Sequence, residues 1–238
     1  RDQLRQHKSA IIAFLAQTQK SLQNPIESVD HTGFQPLSFA QERIWFLSQL
    51  TPNNTAFHLQ HLFEIKGNLD KPRLEKAITA LAQRNSILRT AYISNASGTW
   101  QKIMPSCNIA LRCIDAEQST FDNQALDKIV LQESRTAFQL DKGDVFRHLL
   151  IALNDQHHIL LTTVHHIATD GWSMNLLAAE ITALYQENHD ETTLGKHGVH
   201  YQDFSVWQRA QLQSADMQAQ LSFWRETLSG VPALQLPS

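Results

Sequence analysis

The chain has little cysteine, no excess of either charge and no long apolar run, and each shortage excludes something. Two cysteines in 238 residues, Cys107 and Cys113, cannot staple a disulfide framework. They lie six apart in a stretch that reads as a strand. Six strand steps cover about 20 Å, whereas a disulfide needs Cα atoms roughly 6 Å apart. Neither has the close Cys or His spacing of a zinc site. This usage fits a reducing cytoplasm. Charge is nearly balanced, with 20 Lys and Arg against 23 Asp and Glu and a net charge of −3. That argues against a nucleic-acid groove or an anionic membrane surface as the main partner. The longest apolar runs, such as Leu149 to Leu153, fall far short of the ~20 residues of a membrane helix. Arg1-Asp2-Gln3 does not begin a signal peptide, and a start on Arg predicts a piece of a longer protein. No repeat or low-complexity tract is present.

What is present is a core. An apolar share of 42% supports a folded domain, and the length suits one large domain or one domain with a short appendage. Residues 1–17 read as a short amphipathic helix, with Leu4, Ile11, Ile12 and Leu15 on one side. Residues 18–36 lose periodicity, carry Pro25, Gly33 and Pro36, and read as a linker. The main domain, 37–238, opens with a helix over Phe39–Leu50 capped by Ser38. A strand over 56–66, a helix from about Asp70, and strands over 87–93, 100–103 and 107–114 follow. A helix covers about 122–138. Val145–Leu153 and His158–His166 read as a hairpin whose second strand is apolar on both faces, as a central strand is. Helical periodicity returns after Gly171 and again over Tyr201–Leu228, with Trp207 and Trp224 read as core. The mixture predicts an α/β or α+β layered domain.

The stretch that carries chemistry is His165-His166-Ile167-Ala168-Thr169-Asp170-Gly171-Trp172-Ser173. Two His stand at the exit of a buried strand, just before a helix begins, which is where α/β proteins place their sites. Adjacent residues on a strand point to opposite faces, so one ring can reach a cleft while the other packs inside. That geometry opposes joint metal binding by the pair. His165 reads as a structural histidine; His166 fits either that role or a proton acceptor, since imidazole titrates near neutral pH. Asp170 is either the cap of the next helix or a charge partner for Arg89, which lies in the apolar run Ile87 to Tyr92. Ser173 lacks the His–Asp setting of a hydrolase nucleophile and reads as a capping or binding hydroxyl. His58, His61, His157 and His189 show no usable spacing.

At these residues the chain resembles the condensation domains of nonribosomal peptide synthetases. Their His-His-x-x-x-Asp-Gly hallmark is read at 165–171. Ser38-Phe39-Ala40-Gln41-Glu42-Arg43-Ile44-Trp45-Phe46-Leu47 is similar to the opening Ser-x-Ala-Gln-x-Arg-x-Trp-x-Leu. Leu88-Arg89-Thr90-Ala91-Tyr92 resembles the end of Arg-His-Glu-x-Leu-Arg-Thr-x-Phe, with Asn85-Ser86 in place of His-Glu. Tyr201-Gln202-Asp203-Phe204-Ser205-Val206-Trp207-Gln208 resembles Tyr-x-Asp-Phe-Ala-Val-Trp-Gln. Four signatures in the family's order are specific.

The resemblance implies a chloramphenicol-acetyltransferase-like layered sheet with helices, here the N-terminal lobe and crossing helices of a two-lobed domain. It implies amide formation between a donor acyl thioester and the amine of an acceptor, both held on the phosphopantetheine of peptidyl carrier proteins, with no cofactor bound directly. His166 is then the catalytic residue, as a base or as a group that holds the amine, with the Gly171 N–H assisting the oxyanion. His165, Trp172 and Ser173 complete the motif, and Asp170 is expected to pair with Arg89. Leu4 to Leu15 resembles the last helix of a docking domain, implying an upstream synthetase as partner, beside a C-terminal lobe and an adenylation domain. The fragment alone is expected to be inactive. Alternatives are a coenzyme A-dependent acyltransferase of the same fold, or a non-catalytic platform that recruits carriers.

Overall fold

Short polar side chains start the helices. Ser38 accepts the Gln41 N–H while the Gln41 side chain accepts the Ser38 N–H, a reciprocal cap. Asp70 and Asp122 cap the next two helices in the same way on one side. The structure is a computed structural model that describes residues 7–9, 12, 25–51, 54–106, 109–116, 122–186, 194, 195 and 198–232. Its elements run β1 (Gln35–Pro36), α1 (Phe39–Leu50), β2 (His58–Lys66), α2 (Lys71–Arg84), a 3-10 turn (Ser86–Arg89), β3 (Thr90–Asn95), β4 (Gly98–Ile103), β5 (Leu111–Asp115) and α3 (Asn123–Ser134). A second 3-10 turn (Leu140–Lys142), β6 (Phe146–Asn154), β7 (His157–His165), α4 (Gly171–Gln186), α5 (Tyr201–Leu212) and α6 (Ala215–Thr227) follow.

The strands form two sheets, β1-β4-β3 and β2-β7-β6-β5, antiparallel throughout except that β5 runs parallel to β6. The hairpin read from the sequence is β6–β7, and β7 is interior to its sheet. Its alternation explains its double apolar face. Leu160 and Val164 join the large core with Leu74, Ile78 and Leu81 of α2 and Leu177, Ile181 and Leu184 of α4. Leu161 turns the other way, with Leu149 and Ile151, onto Leu126, Ile129 and Val130 of α3.

Several expectations are corrected. The stretch 87–93 divides into a 3-10 turn and a strand, so Arg89 ends a turn. The strand expected over 107–114 is β5, Leu111–Asp115; Cys113 is an exposed free thiol, and Cys107 lies outside the described residues. The amphipathic helix over 1–17 lies mostly outside them too. Trp224 is 54% exposed rather than core, and α6 buries none of its residues.

Part of the stretch read as a linker is docked. Gln35–Pro36 adds an edge strand to β4, where proline's missing N–H is tolerated. Asp203, buried in α5, accepts the N–H of Val29 at 2.8 Å and of His200 at 2.6 Å, and holds the His31 ring at 2.7 Å. Burial alone raises an aspartate pKa, but these donors outweigh it and hold Asp203 below its ordinary value.

Other histidines serve as core. His148 is fully buried, bonded to the Thr162 hydroxyl at 2.9 Å and packed edge-on against Phe146. Burial lowers its pKa to about 3. His165 is lowered to about 3 as well, first by burial and then by the neighbouring His58 and His166 rings. An unfolded histidine protonates near pH 6.5. Between those values the unfolded chain holds more protons, so acid favours unfolding. The urea midpoint is expected to fall steadily from pH 7 to pH 5, each histidine removing up to about 1.4 kcal/mol per pH unit once below its unfolded pKa. A midpoint constant over that range contradicts the neutral buried rings.

Candidate active site

The end of β7 is a turn that separates two adjacent imidazoles. The His165 N–H donates to the Val145 carbonyl and the His166 N–H to the Phe57 carbonyl, at 2.8 and 2.7 Å, continuing the sheet on both sides. The Ala168 N–H then closes back on the His165 carbonyl at 2.9 Å. Inside this turn the His165 Nδ1 accepts the Ile167 N–H at 3.1 Å. An accepting Nδ1 places the proton of the neutral ring on Nε2. The ring is buried among Phe57, His58 and Phe138.

His166 faces the opposite way and is exposed. It lines a crevice of about 410 Å³ formed by the 166–170 loop, α4, α1, the Asn85–Leu88 turn and Tyr201. Asp170 stands at the start of α4 and accepts both the Ser173 N–H, at 2.8 Å, and the Ser173 hydroxyl, at 2.7 Å. The Ser173 hydroxyl first, then its N–H, lowers the Asp170 pKa. Of the two readings left open by the sequence, the cap is the one seen.

The expected Asp170–Arg89 pair is not formed. Among the described residues Asp170 has no ion pair, and the Arg89 guanidinium goes to backbone carbonyls, Met104 through Nη1 and Gln83 through Nη2 at 3.4 Å. Helix α4 uses the carboxylate, and the 3-10 turn carries Arg89 to a different partner. Asn85 and Ser86, the departures from the signature, are bonded locally: Asn85 Nδ2 to the Leu81 carbonyl and Glu180, Ser86 Oγ to Gln202.

Gly171 is the first residue of α4, where N–H groups have no partner within the helix. Its φ is not positive, and nothing lies within 4 Å of where a Cβ would stand. The fold does not require glycine there; its absent side chain leaves open space beside the N–H. Trp172 is 78% exposed, and Leu176, one turn on, is exposed as well. Sequence reasoning missed Arg43, Glu180 and Tyr201 as crevice residues. The i, i+3, i+4, i+7 series Ser173, Leu176, Leu177, Glu180 contains the signal for Glu180. Arg43 and Tyr201 are brought in by tertiary packing.

Two sheets layered with helices, and a solvent-facing imidazole at a strand tip beside a helix start, fit the chloramphenicol-acetyltransferase-like α/β fold. The chain belongs to the condensation-domain family, whose pattern, Condensation domain, matches residues 31–238. It is similar to malpinin synthetase of Mortierella alpina, 30% identical over 98% of this chain and 3% of that protein. Cyclosporin synthetase simA of Tolypocladium inflatum is 35% identical over 92% of this chain and 2% of that protein. This chain thus spans a few per cent of the length of such curated relatives. Among solved structures, the X-domain from teicoplanin biosynthesis superposes with a TM-score of 0.76 and 26% identity, over 89% of this chain and 47% of that one. The first condensation domain of the calcium-dependent antibiotic synthetase, in complex with a substrate analogue, gives a TM-score of 0.71 over 84% of this chain and 48% of that one. Its 21% identity shows the fold alone.

Replacing Asp170 by Ala is expected to cost about 0.5–2 kcal/mol, the loss of a helix cap, and Asp170→Asn less. In a double-mutant cycle with Arg89→Met the two changes should add to within ~0.5 kcal/mol. A coupling of about 2 kcal/mol or more would restore the ion pair.

Proposed function

We propose that this chain is the histidine-bearing lobe of a condensation domain that joins a donor acyl thioester to the amine of an acceptor aminoacyl thioester, each carried on phosphopantetheine. The supporting observation is the division of the histidine pair: one ring locked in the core, the next exposed in a crevice beside the open start of α4. The acceptor nitrogen attacks the thioester carbonyl, the N–C bond forms, and a tetrahedral adduct collapses with loss of the C–S bond. The amine proton must leave and the departing sulfur must gain one. His166 either takes the proton or holds the amine in line; both need an exposed imidazole at this place. The Gly171 N–H, with open space where a side chain would stand, is the backbone donor this reading assigns to the developing oxyanion.

A second wall is needed. The chain spans about half the length of the solved neighbours, and Trp172, Leu176 and the unburied α6 leave apolar surface for a C-terminal lobe. Carrier proteins and an adenylation domain are the partners this reading calls for, with an upstream synthetase joined through a docking helix over residues 1–17. One observation favours a second reading: a similar solved structure is an X-domain in complex with OxyB, so a recruiting platform is the alternative to a catalyst. The open setting of His166 supports the catalyst.

In the full two-lobed domain, His166→Ala should cut dipeptide formation at least ~100-fold, the usual scale for a positioned proton-transfer group. Its unfolding midpoint should not move, because the ring is exposed. A dipeptide yield near that of the parent domain would remove His166 from the chemistry and favour the platform. His165→Ala should instead destabilise by roughly 2–5 kcal/mol, through a cavity and an orphaned Ile167 N–H.

A further inference from the structure

The crevice beside His166 has a direction. Ser173, Leu177 and Glu180 lie on one face of α4, and at 1.5 Å per residue Glu180 stands about 10 Å beyond Ser173. His166 and Ser173 mark the near end. Glu180 and Asn85 mark the far end, with Ile87 and Leu88 among the apolar groups between them. The far end is polar and ordered. Asn85 Nδ2 donates to Glu180 Oε2 at 2.7 Å, and Arg84 Nε lies 3.6 Å from the same oxygen. The Glu180 side chain is 20% exposed. A half-covered carboxylate is costly unless bonded, and Asn85 with the buried Arg84 guanidinium supplies partners here. With roughly four acceptor sites, a carboxylate can take a further donor without releasing Asn85.

Resting on the amide-forming reading above, we propose that Glu180, held by Asn85, is a specificity residue that reads the far end of the donor's acyl substituent. A donor carbonyl directed at the Gly171 N–H has α4 running away from it, so its substituent follows the crevice toward Glu180. The fitting chemistry is a side chain with an apolar stem and a hydrogen-bond-donating terminus, an ammonium or a primary amide. A purely apolar chain of equal length strips water from the carboxylate and returns no hydrogen bond, and sites built to bond a polar group discriminate strongly against such analogues. Arg43, exposed on the opposite wall, is the group that would favour an acidic terminus instead.

The test uses the complete two-lobed domain with carrier-bound donor thioesters of lysine, glutamine, norleucine and glutamate in competition for one acceptor. The parent domain should use lysine or glutamine at least ~10-fold better than norleucine. Glu180→Leu should reverse that order. Glu180→Gln, which keeps an acceptor for Asn85, should lower the lysine-to-glutamine ratio. Preference ratios identical in the parent and both variants, or a parent preference for glutamate, would overturn the assignment of Glu180 while leaving amide formation intact. Absence of amide from every donor in the parent domain would instead overturn the underlying reading and this inference with it.

Discussion

The hydrogen bond from the Ile167 N–H into the His165 ring is the contact on which the site depends. It requires an unprotonated Nδ1, and burial supplies one by holding the ring neutral. It fixes the turn that ends β7, and a strand's alternation then sends the next side chain to the opposite face. His166 is exposed because His165 is not. The same turn delivers the chain to Asp170, whose carboxylate starts α4, so one short segment sets both the imidazole and the helix N-terminus beside it.

The scaffold holds this segment from two sides. The His166 backbone is bonded to the Phe57 carbonyl just before β2, and His165 to the Val145 carbonyl just before β6. Below, α2 and α4 pack on β7 through side chains that are almost wholly buried. Trp172 and Leu176 beside the site, and Phe223 and Trp224 on α6, are exposed apolar side chains. The proposed second lobe would cover that apolar surface, and the chain spans about half the length of the solved neighbours.

Much of this was legible in the sequence because local physics determined it. Period-two and period-3.6 patterns placed β6, β7 and α4, and Ser38 announced α1. The family's signatures placed the histidine pair, and strand alternation supplied its division. What the sequence concealed depended on distant contacts. Arg89 lies in an apolar run that looked like continuous strand, yet three residues before it the chain tightens into a 3-10 turn and the guanidinium meets carbonyls. Asp170 had two plausible uses, and a local cap prevailed over a long-range ion pair. His148 and His31 had no informative spacing because their partners, Thr162 and Asp203, lie 14 and 172 residues away. Glu180 meets Asn85, 95 residues away, and that contact has no local signature.

The central claim is that of two adjacent rings one is sealed and the other open to substrate. Histidine carbethoxylation with diethyl pyrocarbonate, mapped by peptide mass spectrometry on the two-lobed domain, tests this directly. His166 should be modified readily, and an acyl-pantetheine thioester analogue should protect it, while His165 stays unmodified as long as the domain is folded. Equal modification of both rings, or an unreactive His166 in the absence of the analogue, would contradict the account.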